Sequence, residues 1–442
     1  MTFSMRDRAL GLVDCNNFFV SCERRADPSL QNRPVVVLSN NDGCVVSRSN
    51  EVKKLGVKTG DPYFKIKYLL KQINTVVRSS NMNLYKKVSF EVMSTIASFS
   101  DKTEVYSIDE SFLNLAICSV DDPVSYARNL RLKIWKDCSI PVSIGIAPTK
   151  TLAKLGSEYA KTHRECNGVF WLNADVYQDR EFMSAIRCSE VWGIGRKTSE
   201  KLALNRVYTT YDLCQCDDMW LKKNFSVATL FSKWELKGQC AYPILSDNKP
   251  PKSIMVSRSF GDEIRSFDDI LDPLLCFTVS AASQLRKSGQ CATKLTVFIA
   301  TNRFGGDSYY TNSREFVFDS PRFSDVDFMN EAVRMLKEIY ADGFIYKKCG
   351  VIISGLQDCS AARQSSLFPA ENDDKDKSLS SAVDKLNLEN ISSLIKPAAL
   401  FSPPNCEKKW APKSEFHGDK KEEDSSMPEG LRFQNHAEDF AN

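Results

Sequence analysis

Apolar positions in the N-terminal part of the chain follow two different periods. Short continuous runs at 10–14 and 33–38 read as buried strands. The NNDG run at 40–43 is a turn by composition, and helical spacing returns over 49–55 with Gly56 as its stop. Leu84, Val88, Val92, Met93 and Ile96 repeat at helical spacing and predict a helix over 81–99. Two strand-like runs, 104–108 and 111–115, flank Asp109 and Glu110. They predict a hairpin whose two-residue turn displays both carboxylates. A helix is expected over 122–135, a strand over 142–146 and a helix over 149–161. Strand, helix, two strands, helix, strand is the order of a palm-like α+β core.

Further along, VWGIGRK at 191–197 places Gly193 and Gly195 in a turn before an amphipathic segment bearing Leu202 and Leu204. This predicts a helix-hairpin-helix. Backbone N–H groups of its turn would meet a DNA phosphate, with Arg196 and Lys197 as counter-charge. DNKPP at 247–251 is a linker by composition. Beyond it the pattern predicts strand 253–260, helix 268–287, strands 292–301 and 314–318, helix 325–341 and strand 349–355. That is a split-βαβ order, with Arg258, Lys294 and Arg303 expected to line one basic face, and Arg258 and Lys294 expected to bind DNA. After Gly355 the chain turns charge- and turn-rich, and is expected to be largely disordered with one short helix near 378–390.

Length and composition narrow the class. The 442 residues exceed one ordinary domain. No run is long and apolar enough for a bilayer, and no apolar h-region follows the basic N-terminal residues, so a cytoplasmic protein is expected. The 15 cysteines are scattered, and reduced, mostly buried thiols are the expectation. Cys214 and Cys216 form the one close pair, without a second pair or nearby histidines for zinc. Three histidines in all make serine- or zinc-hydrolase chemistry a poor fit. From Ala370 onward, 10 Lys and Arg against 15 Asp and Glu give −5. With +3 overall, the body carries +8, which is compatible with nucleic acid.

Asp14, Asp109 and Glu110 sit at expected strand ends. If those strands are neighbours, the three carboxylates converge, and repulsion would protonate one of them unless cations are present. Two Mg²⁺ ions about 3.5–4 Å apart resolve such a cluster and serve nucleotidyl transfer. The alternative is that each carboxylate caps a strand or pairs with a surface lysine.

Six segments resemble, in order, the motifs of Y-family translesion DNA polymerases in their UmuC-like branch, the catalytic subunits of DNA polymerase V. They are DCNNFFVSCE at 14–23, SNNDGCVVSR at 39–48 with LGVKTGDP at 55–62, YSIDESF at 106–112, IGIAPTKTLAK at 144–154, VWGIGR at 191–196 and SRSFG at 257–261. The resemblance covers about residues 9–357. It implies a multidomain α+β right-hand polymerase. The palm would be 1–30 and 76–170, the small fingers 31–75, the helical thumb 171–245 and the split-βαβ little finger 252–357, followed by a tail over 358–442. It further implies that Asp14, Asp109, Glu110 and the main-chain carbonyl of Cys15 hold two Mg²⁺ ions. Phe19 would be a steric gate against ribonucleotides, with Phe18 an ordinary core residue. Ser47, Arg48, Lys53 and Lys161 would grip the triphosphate of a dNTP, and Lys150 and Lys154 would touch the DNA backbone instead.

RQSSLF at 363–368 resembles a sliding-clamp peptide, with Gln364 hydrogen-bonding and Leu367 and Phe368 filling an apolar pocket. Asn17 stands where the family often has a small residue. Beyond about residue 386 the family pattern fades, and with it the basis for assembly with a UmuD-like dimer and a recombinase filament. The expected function is error-prone translesion synthesis on primer-template DNA in the SOS damage response. The alternatives are a catalytically silent DNA- and clamp-binding scaffold, which the three retained carboxylates disfavour, and a two-metal nuclease. A nuclease needs neither Phe19 nor the triphosphate set.

Overall fold

A computed structural model describes residues 9–115, 122–245, 251–303, 308–359, 382–386 and 415–416. Among them two compact units separate. One comprises 9–38 and 44–245, the other 39–43 and residues from 251 onward. The clamp-like residues Gln364, Leu367 and Phe368 lie outside the described residues.

The first unit opens with β1 (Leu10–Cys15) and α1 (Phe18–Ala26). β2 (Val35–Leu38), β3 (Val45–Arg48), α2 (Asn50–Lys53), α3 (Tyr63–Gln72) and β4 (Val76–Ser79) follow. The three strands form a small sheet in the order β3-β2-β4. α4 (Met82–Ala97), β5 (Thr103–Val105), β6 (Glu110–Asn114), α5 (Pro123–Cys138), β7 (Val142–Ala147), α6 (Lys150–Thr162) and β8 (Val169–Trp171) complete the central layer. Its sheet runs β5-β6-β1-β7-β8. β1 lies in the middle, so both its faces are covered and its apolar run is continuous rather than alternating: Leu12 and Val13 are fully buried. The helices start where polar side chains can receive their free N–H groups. Asn81 accepts from Leu84, Asp122 from Val124 and Ser125, and Thr149 from Leu152.

One glycine pair sets how near α6 lies to the sheet. A Cβ on Gly145 of β7 would come within 2.0 Å of the Ala153 carbonyl oxygen, and one on Gly156 within 3.3 Å of the Gly145 Cα. Helix and strand therefore meet backbone to backbone. This brings the lysines of α6 close to the ends of β1 and β6.

α7 (Ala174–Tyr177), α8 (Arg180–Ala185), α9 (Arg196–Leu204), α10 (Thr210–Gln215), α11 (Asp218–Asn224) and α12 (Val227–Leu236) form a helical layer. Fully buried Glu235 fastens α12 to α6, accepting from the backbone N–H groups of Thr151, Ala241 and Tyr242. Leu202 of α9 is fully buried, whereas Leu204, expected on the same apolar face, is 86% exposed. Two residues along a helix is about 200° of rotation, which turns Leu204 outward.

The second unit is β9 (Ser253–Ile264), α13 (Phe267–Lys287), β10 (Gln290–Thr301), β11 (Thr311–Arg322), α14 (Asp325–Ile339) and β12 (Tyr346–Asp358). Its antiparallel sheet runs β11-β10-β12-β9, with both helices packed on one face. The elements come in the expected order, with longer strands. The register overturns the single basic face. Arg258 pairs with Cys349, which pairs with the buried Ile299, whereas Lys294 pairs with Ser354, one step out of phase with the buried Ile353. Because side chains alternate along strands, Arg258 and Lys294 leave the sheet on opposite faces. Arg303 lies past the end of β10. The helix-free face instead carries Lys294 and Lys348, and the Lys348 ammonium sits 5.6 Å from the Phe298 ring. A helical turn at 382–386 lies within the region expected to hold a short helix, and Asp384 there accepts from Arg286 at 2.7 and 3.0 Å.

Candidate active site

β1 and β6 are antiparallel neighbours, and Asp14 pairs directly with Glu110. The Cys15 N–H donates to the Asp109 carbonyl at 2.9 Å, which carries the ladder one step beyond β6. The three carboxylates expected to converge thus share one end of the sheet. The hairpin itself differs from the expected two-residue turn. Val105 pairs with Ser111, the turn spans 106–109, and Glu110 is the first residue of β6. Ser107 shapes this wider turn. Its hydroxyl accepts from the Asp109 and Glu110 N–H groups and donates to the Asp109 Oδ1 at 2.6 Å.

Each carboxylate also has a partner of its own. Lys161 donates to Asp14 at 2.6 Å, Lys154 to Glu110 at 2.9 Å and Ser107 to Asp109. So placed, the described side chains form no ready-made cation cage. Burial pushes the Asp14 carboxyl up to about 8, and the charge of Glu110 adds to it. Lys161 pulls the other way and is outweighed. Asp109 is raised by burial as well, against the bond from Ser107. Lys161 is itself raised, because Asp14 and Glu158 together outweigh the burial that would lower it. Asp14 and Lys161 are thus both raised, each by what surrounds it. A cluster of half-neutralised carboxylates with oxygen donors alone is the chemistry that a hard divalent cation replaces. The residues present therefore fit such an ion, and an ion bound at Asp14 would displace the Lys161 ammonium. The Cys15 thiol is fully enclosed and raised by burial, then by Asp109 and Asp14. It is an inert core group, and its main-chain oxygen is the donor the position offers.

Phe18 is buried and Phe19 half-buried. The Phe19 ring stacks on Tyr85 of α4 at 4.4 Å and 12°. The Tyr85 hydroxyl donates to buried Glu23 at 2.7 Å. Tyr85 was not legible as part of the site. Its only signal was a tyrosine among the apolar positions of a helix. Asn17, at φ 50°, starts α1 in the left-handed region that asparagine tolerates, and its amide donates to Asn50 of α2 at 3.0 Å.

Lys53 and Arg48 lie near Lys161. Protein atoms around the Lys53 ammonium, then the charges of Arg48 and Lys161, hold its pKa below the usual range. The Arg48 guanidinium donates to the Val57 carbonyl at 2.6 Å and to Thr59 at 2.5 Å. Ser47 is buried on β3, opposite Val37. Lys150, expected at the DNA backbone, is instead buried, with its ammonium 2.6 Å from both Glu104 oxygens. Gly193 has φ +87° and Gly195 precedes the first turn of α9, where N–H groups are free of helical partners. Arg196 and Lys197 are exposed there.

An α+β sheet with three carboxylates at one end, followed by a helical layer and a split-βαβ unit, is the architecture of a Y-family DNA polymerase. Residues 13–158 match the impB/mucB/samB family model and residues 251–367 the model of that family's C-terminal domain. Protein UmuC of Salmonella typhimurium is 35% identical over 77% of this chain and 82% of its own length. Protein MucB of Escherichia coli is 35% identical over 78% and 82%. DNA polymerase IV of Bacillus anthracis is 25% identical over 87% and 92%. Among solved structures, a Dbh–Dpo4 chimera of Y-family DNA polymerases superimposes with a TM-score of 0.66, at 22% identity over 79% of this chain and 99% of that one. The chain belongs to the impB/mucB/samB family, the UmuC-like branch of the Y-family DNA polymerases. No described helix is long and apolar enough to cross a membrane.

Proposed function

We propose that this cytoplasmic chain performs error-prone translesion synthesis in the SOS response, joining dNTPs to a primer 3′-hydroxyl opposite damaged template bases. The observation that carries the catalytic part is the strand register that sets Asp14 opposite Glu110 with Asp109 beside them. Asp14, Asp109, Glu110 and the Cys15 carbonyl would hold two Mg²⁺ ions. Bound there, these ions supply the charge that activates the 3′-hydroxyl and steadies the pyrophosphate leaving group. The protein's share is alignment. The β1–β6 ladder fixes two carboxylates and Ser107 aims the third. Lys161, Lys53 and Arg48 bring positive charge to one side of the cluster, where a triphosphate gains from it. Phe19, backed by Tyr85, presents a ring where a ribose 2′-hydroxyl would stand.

The thumb and little finger hold primer-template DNA by phosphate contacts, through Gly193, Gly195, Arg196 and Lys197 on one unit, and Lys294 on the other. The fingers, a three-stranded sheet with two short helices, press weakly on the nascent base pair, so shape discriminates poorly and lesions pass. Gln364, Leu367 and Phe368 tether the enzyme to a sliding clamp. A UmuD-like dimer and a recombinase filament are its expected activators.

Primer extension on plain and abasic templates with Mg²⁺ tests this reading, comparing the native chain with Asp109→Ala plus Glu110→Ala. Loss of at least about 10³-fold in the double variant is the expected result. A native chain that stays inactive with clamp and UmuD-like partner added would indicate a DNA-binding scaffold.

A further inference from the structure

Beyond the carboxylates and the triphosphate lysines, one group of side chains links the helical layer to the catalytic cluster. Trp192 stands immediately before Gly193 in the loop that leads into α9. Its indole N–H donates to the Tyr106 hydroxyl at 3.0 Å, and the two rings meet edge to face at 5.6 Å. Both rings border the Lys154 ammonium, which lies 5.0 Å from the Tyr106 centroid and 5.9 Å from that of Trp192. The same ammonium bonds Glu110. The loop is held from behind, because Ser232 of α12 donates to the Trp192 carbonyl at 3.3 Å. A Cβ on Gly193 would come within 3.1 Å of the same hydroxyl.

We propose that Trp192 is a positioning residue that couples the grip of the helical layer on DNA to the placement of Glu110. The inference rests on the reading above, in which Glu110 is a metal-binding carboxylate. Its physical basis is a contiguous chain. The loop that carries the candidate phosphate-binding N–H groups is rigidly continuous with the Trp192 ring. That ring and Tyr106 hold Lys154 from two sides by cation–π attraction, which is significant within about 6 Å. As placed, the Lys154 ammonium donates to one oxygen of the Glu110 carboxylate, at 2.9 Å, and so fixes how that carboxylate is turned. With the rings gone, the flexible lysine stem lets the ammonium wander, and Glu110 loses its fixed orientation. The Trp192 ring centroid also lies 6.5 Å from that of Phe112 on β6. Trp192 also packs against Tyr242, so its removal has a structural component that the test must separate.

Single-turnover extension is compared for the native chain, Trp192→Phe, Trp192→Ala, Lys154→Met and the Trp192→Ala plus Lys154→Met double variant. DNA affinity is read by anisotropy without metal, Mn²⁺ affinity of the DNA complex by electron paramagnetic resonance, and melting temperature alongside. Trp192→Ala is expected to slow extension about 10–100-fold, as misplacement of a catalytic group by about 1 Å does. It should weaken Mn²⁺ binding several-fold while DNA affinity stays within about twofold, since the loop's phosphate ligands remain. Trp192→Phe, which keeps a ring and loses the N–H, should fall between. The double variant should be no slower than the slower single one, because both residues act through the same carboxylate. Additive losses, native rates in both Trp192 variants, or a rate loss that only follows falling DNA affinity and melting temperature would each overturn the inference while leaving the polymerase reading intact. A native chain that fails to extend any primer removes the reading and the inference together.

Discussion

The two ends of α6 carry the same kind of interaction with opposite outcomes. Near its start, Lys150 meets Glu104, both side chains almost fully buried, with the ammonium 2.6 Å from each carboxylate oxygen. The Leu245 N–H completes the carboxylate's shell at 2.6 Å. Near its end, Lys161 meets Asp14 at the same 2.6 Å, but its side chain is 24% exposed and the carboxyl remains raised to about 8. The first pair is saturated and closed to solvent, and it binds α6 to β5 and to the chain after α12. The second is incomplete, because burial raises Asp14 by more than Lys161 lowers it, and Glu110 across the ladder adds to the rise. Equal distances therefore do not imply equal roles. Whether the neighbours leave a deficit of positive charge decides, and an unmet deficit at a solvent-accessible strand end is where a cation-dependent reaction belongs.

The contrast can be broken in three ways. Lys150→Met leaves Glu104 charged and buried, which should cost about 3–5 kcal/mol in urea melts with little change in the metal dependence of extension. A variant as stable as the native chain would mean that the closed end is not structural. Phe19→Ala acts at the open end. It should reduce discrimination against ribonucleotides by about 100-fold, equivalent to about 2.7 kcal/mol, read by competing rNTP and dNTP in extension assays. Unchanged discrimination would reduce Phe19 to a core ring stacked on Tyr85. The third variant, Asp14→Asn, is read on the stability of the metal-free chain.

A carboxyl raised in the folded state contributes stability below its unfolded pKa, and that stability is lost as pH rises through about 8. The metal-free native chain should therefore weaken relative to Asp14→Asn as pH rises from 5 to about 8, and no further above it. Saturating Mg²⁺ should reverse the sign by favouring the ionised carboxylate. Parallel pH profiles in EDTA for the two proteins would show that Asp14 carries no such deficit.

Much of the fold was legible because it follows from local rules. The helices over 82–97, 123–138 and 150–162 carry their caps and apolar spacing in plain view, and the second unit's six elements come in the order their patterns predict. The fingers were less legible. β3 and β4 are four residues each, and the Tyr63–Gln72 helix exposes Phe64 and Tyr68, so its pattern has no clean apolar face. The carboxylates were visible as a triplet, whereas the turn between them was misjudged. A serine whose hydroxyl makes three hydrogen bonds, to Asp109 and Glu110, widened it from two residues to four.

By itself the sequence determined the kinds of residue available and their order: three carboxylates at strand ends, a phenylalanine pair after the first, lysines every few residues along one helix and a glycine-bracketed turn. These depend on periodicity, capping and turn chemistry, all of them local. Only the tertiary structure decided which lysine is buried mortar and which faces the cluster. It also decided that Arg258 and Lys294 part to opposite faces, and that a tryptophan from a distant loop reaches Lys154. Those outcomes turn on strand register and on the backbone-to-backbone approach of Gly145 and Gly156, where one step or one methyl group redirects a side chain, and no short-range pattern encodes either.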